Sequence, residues 1–67
     1  MSKEARFVVF CLENYKIHKS ISGRQAYELF EKNGVFDYLN EFYDVLHTTG
    51  YQYINNDIDS FLSNRGI

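Results

Sequence analysis

Proline and tryptophan are absent from this chain, cysteine and methionine occur once each, and glycine only four times. Each scarcity excludes something. The lone Cys11 leaves no partner for an intramolecular disulfide, and no Cys/His spacing resembles a structural zinc site. With no proline, and with glycines placed where helices could end, an all-α fold is favoured. No apolar run approaches the roughly 20 residues needed to span a bilayer. The N-terminus offers only Lys3 and Arg6 around a short apolar stretch, with no cleavage site, so a signal peptide is not expected. A cytoplasmic location follows, consistent with a free thiol. Seven basic against nine acidic side chains give a net charge of −2, which offers little general attraction for nucleic acid or anionic lipid.

Aromatic residues fill part of the gap. Six Phe and six Tyr make up 18% of 67 residues. Below roughly 70–80 residues a single core seldom supplies more than a few kcal/mol. Large rings compensate in part, and a partner or a second copy of the chain would supply the rest. One domain, residues 1–67, is expected.

The apolar spacing predicts a compact bundle of four helices over about 3–19, 23–32, 36–46 and 50–64. Ser2 caps the first, whose core face is Phe7, Val8, Cys11, Leu12 and Tyr15. The run Phe7–Leu12 is apolar throughout and so wraps round the helix. Val9, Phe10 and Ile17 therefore point away from the Cys11 face and need a second cover, the clearest sign of an interface in the sequence. Ser20 to Gly23 breaks this helix. Ser22-Gly23-Arg24-Gln25 reads as a capping box for the second, which buries Ala26, Leu29 and Phe30 and ends at Asn33-Gly34. In the third, Phe36, Leu39, Phe42, Tyr43 and Leu46 form an apolar face opposite Asp37, Glu41 and Asp44. Thr49-Gly50-Tyr51-Gln52 reads as a second capping box, opening a helix with Tyr51, Ile54, Ile58, Phe61 and Leu62 on its inner face. The corner between the third and fourth helices is the expected centre of the core.

Several side chains invite a chemical reading. His47 lies three residues after Asp44 at a helix C-terminus, where a carboxylate and the helix dipole both favour the imidazolium form. Catalysis would also require a nucleophile and a pocket, and neither is legible, so a helix-end cap or partner contact is expected. Cys11 and His18 share a face but lack a third metal donor. Core packing is expected for Cys11 and a surface position for His18. The Asp37/Glu41/Asp44 stripe suits either a solvated face or a basic partner. A helix-turn-helix reading fails on charge, because the helix available for a DNA groove carries these acids and no lysine or arginine.

The segments Gly34-Val35-Phe36-Asp37-Tyr38-Leu39, Phe42-Tyr43-Asp44-Val45-Leu46-His47-Thr48-Thr49-Gly50 and Asp57-Ile58-Asp59 resemble a bacterial family of very short proteins catalogued as a domain of unknown function. The likeness runs from Phe7-Val8 to Asn64-Arg65-Gly66, and Tyr43 to Gly50 is its most specific part. Members are often encoded beside an ADP-ribosyltransferase-like protein. The resemblance therefore implies a small accessory or antitoxin-type partner, and it brings no catalytic residues with it.

The expected function is a non-enzymatic interaction module, with no cofactor and no metal, binding a protein partner or a second copy of itself. Neither nucleic acid nor membrane is an expected partner. The expected contact residues are Val9, Phe10 and Ile17 on the first helix and Asp44, His47, Thr48 and Tyr51 at the corner. The alternative is a small acidic inhibitor whose Asp37/Glu41/Asp44 stripe occupies a basic or nucleic-acid-binding surface.

Overall fold

A computed structural model of the chain describes residues 1–66. Among these the architecture is all-α: α1 Lys3–Lys19, α2 Gly23–Lys32, α3 Val35–Glu41, α4 Tyr43–Leu46 and α5 Tyr51–Asn64. None of these helices is long and apolar enough to cross a membrane.

Local chemistry sets the first boundaries. Ser2 Oγ accepts from the Ala5 N–H at 3.0 Å and starts α1. Lys16, His18 and Lys19 crowd its last turn, where the carbonyl end of the dipole favours positive charge. Ser20 then turns left-handed at φ 56°, and the Ile21 N–H donates back to the Lys16 carbonyl. The capping box at α2 is complete: Ser22 Oγ accepts from the Gln25 N–H while Gln25 Oε1 accepts from the Ser22 N–H. Gly34, at φ 74°, makes the left-handed step from α2 into α3.

The third expected helix differs from its sequence pattern. It starts at Val35 and breaks at Phe42, whose φ −102° and ψ 21° lie outside the helical well, before resuming for the single turn of α4. Long-range packing explains the bend. Before it, the Tyr38 ring stacks on Phe61 of α5, with centroids 4.6 Å apart. After it, Tyr43 meets Phe7 of α1 edge-on at 5.3 Å. Phe42 is left 43% exposed rather than on a buried face.

The second expected capping box is absent. Gly50 is the N-cap of α5, with no side-chain cap bond, and the helix begins at Tyr51. The Thr49 hydroxyl donates instead to the Leu46 carbonyl at 2.7 Å, and Thr48 donates to Val45 at 3.1 Å. Carbonyls at the end of α4 that lack the i+4 N–H of a continuing helix accept both hydroxyls before α5 can use them.

The buried core gathers Cys11 and Tyr15 from α1, Phe30 from α2, Val35 and Leu39 from α3, Leu46 from α4, and Ile54, Ile58 and Leu62 from α5. The hub is α1, which packs on α2, α3 and α5. The corner was expected to hold this place, but one turn of α4 is too short to lie along α5, and it contributes Leu46 alone. Phe7, Val8 and Leu12 pack partly buried against the core, while Val9, Phe10 and Ile17 stay exposed, as the wrapped apolar run predicts.

Candidate functional site

The first half of α1 presents Lys3, Arg6, Phe7 and Phe10 along one side, because steps of three and four return to the same helical face. Opposite them stand Tyr43, His47 and Thr49 of the α4–α5 corner, then Tyr51 and Ile54 at the start of α5. Between these two walls lies an open recess of about 260 Å³. Aromatic pairs build both sides. Phe7 meets Tyr43 edge-on, the Tyr43 and His47 rings stack at 4.4 Å and 7°, and Phe10 stacks on Tyr51 at 4.7 Å and 17°. The Lys3 ammonium lies 5.8 Å from the Tyr43 ring centroid, within reach of its face.

His47 is the C-cap of α4, as its place in the sequence suggests. Its Nδ1 lies 2.7 Å from the Tyr43 carbonyl, which can only accept, so Nδ1 carries the proton. That bond and the ring stack fix the imidazole, leaving Nε2 as the nitrogen available to another group.

Phe10 forms a ridge. Beyond it a second recess of about 350 Å³ runs between Val9, Glu13 and Asn14, with Arg6, Phe10 and Tyr51 shared by both. The structure therefore brings together four of the seven expected contact residues: Phe10, His47 and Tyr51 in the first recess and Val9 in the second. Tyr51, which the periodicity also assigned to a buried face, is 52% exposed because its ring lies over Phe10 at the helix start. Ile17 is 73% exposed but sits two turns further along α1, outside both recesses. Asp44 and Thr48 are exposed and line neither recess, and the Thr48 hydroxyl closes α4.

Lys3 and Arg6 were not among the expected contact residues. Their signal was present: both lie at helical spacing from Phe7 and Phe10, so a basic edge beside an outward aromatic face was readable.

A second constellation joins α1 to α5. Asp59 accepts from Tyr15 Oη at 2.6 Å, with Lys19 Nζ at 3.3 Å and His18 Nε2 at 3.4 Å. Partial burial pushes the Asp59 carboxyl upward, but the Tyr15 hydrogen bond and the neighbouring Lys19 and His18 outweigh it and hold it below the ordinary value. Burial, reinforced by Asp59, raises the Tyr15 phenol. Two residues earlier Asp57 accepts from Tyr38 Oη, and burial first, then this bond, pushes the Tyr38 phenol up to about 12. The two aspartates flank the buried Ile58 and satisfy the hydroxyls of two tyrosines, Tyr15 buried in the core and Tyr38 packed partly buried against it. They act as clasps between helices.

Cys11 is buried, and burial pushes its thiol up to about 12, so it stays neutral at ordinary pH. His18 lies on the surface against Asp59 rather than beside Cys11. What the first recess offers chemically is recognition: two cations, an oriented imidazole and several exposed ring faces.

Residues 6–65 match a family model described as "Protein of unknown function (DUF3791)". No curated protein and no solved structure matches the chain.

Proposed function

The chain belongs to the DUF3791 family, and we propose that it is a non-enzymatic module that docks a protein partner through the outward face of α1 and the α4–α5 corner. In this reading it is a cytoplasmic accessory or antitoxin-type partner of an enzyme encoded beside it. The observation that carries the reading is the exposed aromatic ridge. Phe10 and Tyr51 stack on each other with about half their surface open, beside the exposed Val9, on the helix that organises the whole core. Adjoining apolar surface of this kind marks interaction sites when it is contiguous and rimmed by polar groups. Here Lys3, Arg6, Glu13 and Asn14 supply the rim.

The test is solution mass by light scattering, for the chain alone and mixed with the product of the adjoining gene. A monomer that forms a defined complex with that product, lost in Phe10→Asp, is the expected result. A dimer of the chain alone, broken by the same substitution, would make a second copy the occupant. Asp37, Glu41 and Asp44 are all exposed, which favours a second reading: an acidic face laid on a basic partner surface. In that case Glu41→Lys, rather than Phe10→Asp, abolishes the complex.

A further inference from the structure

The two recesses beside Phe10 differ in charge. Arg6 borders both, but the outer one adds Glu13, whereas the one facing the corner adds Lys3 and has no carboxylate in its lining. In a chain with nine acidic residues and a net charge of −2, that segregation concentrates positive charge at one place. It is also charge that no ion pair neutralises. Lys16, Lys19 and Arg24 each lie against a carboxylate, but among the described residues neither Lys3 nor Arg6 has an ion-pair partner. The floor between the cations and the corner is apolar and aromatic: Phe7, Phe10, Tyr43 and Ile54.

Size narrows the occupant. About 260 Å³ falls just below the roughly 300–1,000 Å³ of sites that enclose whole small molecules. It is suited to one bulky side chain entering from a surface. Charge narrows it further. Nucleic-acid affinity rests on many phosphate contacts, and Lys3 and Arg6 alone would make few.

We infer that the recess between α1 and the α4–α5 corner takes an acidic segment of a protein partner. One aromatic or branched aliphatic side chain of that segment enters the aromatic floor, and adjacent carboxylates meet Lys3 and Arg6. This rests on the docking face proposed above and gives its partner a chemistry. Apolar contact holds the segment, and opposite charge selects it and speeds its approach. His47 Nε2, freed by the bond from Nδ1 to Tyr43, is a further polar group at the corner end.

The experiment pans a displayed library of random dodecapeptides against the full chain, then measures the enriched peptides by fluorescence anisotropy. Enriched sequences are expected to carry net negative charge around an aromatic, leucine or isoleucine residue. Lys3→Glu and Arg6→Glu should each weaken the best peptide by about tenfold or more, and affinity should fall as salt rises. Phe10→Ala should weaken it at every salt concentration while leaving the salt slope unchanged. The two charge reversals place acid in the first turns of α1, where the helix dipole favours it, so an unchanged CD spectrum should separate lost binding from lost folding.

Neutral or basic enriched peptides, binding indifferent to Lys3 and Arg6, or no enrichment above a bait-free control would each overturn the inference. So would a labelled single-stranded oligonucleotide that binds through Lys3 and Arg6 as tightly as the best peptide. The two proposals fail separately. Charge-indifferent peptides, with a partner complex still lost in Phe10→Asp, overturn the acidic occupant alone. A complex unaffected by Phe10→Asp overturns the docking face and the inference with it.

Discussion

Phe10→Asp asks the most of the reading, because it must abolish docking and leave the fold standing. Phe10 is 47% exposed, and its ring stacks on Tyr51 at 4.7 Å. Full burial of such a side chain contributes about 1.5–3 kcal/mol, so half burial contributes about 1. The stack adds about 0.5–1.5 kcal/mol at most. Phe and Asp have similar helix propensities, which leaves that contribution nearly unchanged. The substitution should therefore destabilise by about 1.5–2.5 kcal/mol.

A chain of 67 residues is expected to have a total stability of about 3–5 kcal/mol. In the middle of that range about 2 kcal/mol remains after the substitution, and roughly 90% or more of molecules stay folded. Each kcal/mol lost should lower Tm by about 4–8 °C in a domain of this size. The helical CD at room temperature should thus match that of the parent, with a melt displaced by about 6–20 °C. Phe30→Ala is the control. Phe30 is fully buried, with Tyr15 and Phe36 rings at 5.4 and 5.5 Å, so truncation should cost about 3–5 kcal/mol and unfold much of the sample. If Phe10→Asp loses its helical signal as Phe30→Ala does, Phe10 is core and the division of α1 into inner and outer faces is wrong. If it folds and the partner complex survives, the outer face is not the docking surface.

Cys11 offers a test of the core: with its thiol raised from 9.0 to about 12, the thiolate fraction is smaller by about a thousandfold, and a disulfide reagent should react only on unfolding. Rapid labelling of the native chain would contradict its burial. Asp59 ionises below its ordinary value of 3.8, so its contribution to stability is complete above that pH and disappears as pH falls through the lower folded value. The gap in urea midpoint between the parent and Asp59→Asn should accordingly be widest above pH 4 and should close in stronger acid; a gap that widened there would reverse the assignment. Asn55 is buried with its Oδ1 unpartnered, so Asn55→Leu should raise Tm, by about 1 kcal/mol of added stability. A fall in Tm would mean that the carbonyl has a partner worth keeping.

The parts of this fold legible in the sequence are those whose causes lie within a few residues. Ser2 and the Ser22–Gln25 box satisfy backbone donors three positions away, and nothing nearby competes with them. Thr49-Gly50-Tyr51-Gln52 carries equivalent letters and fails because α4 ends only three residues earlier, with its last carbonyls lacking i+4 N–H partners. A capping pattern is therefore informative only where the preceding helix is already closed. The break at Phe42 was hidden for a different reason. No glycine or proline marks it, and the heptad-like spacing from Phe36 to Leu46 continues across it. Tyr38 reaching α5 and Tyr43 reaching α1 set the bend, and periodicity carries no information about a third helix.

The same distinction runs through the candidate site. The outward turn of Val9 and Phe10 follows from six apolar residues in succession on one helix, and it was legible for that reason. Which corner residues would meet Phe10 was not. Asp44, His47, Thr48 and Tyr51 are neighbours in sequence, yet only His47 and Tyr51 face α1. Thr48 is held by Val45, and Asp44 sits one position beyond the tyrosine that packs on Phe7. The bend at Phe42 makes that selection, because it aims Tyr43 and the stacked His47 ring at the basic edge of α1. Tyr43 thus has two consequences at once: it ties the corner to the core helix and forms one wall of the recess. Removing its ring should loosen the fold and deform the recess together, whereas Lys3 and Arg6, which make no ion pair among the described residues, can be reversed without disturbing either helix.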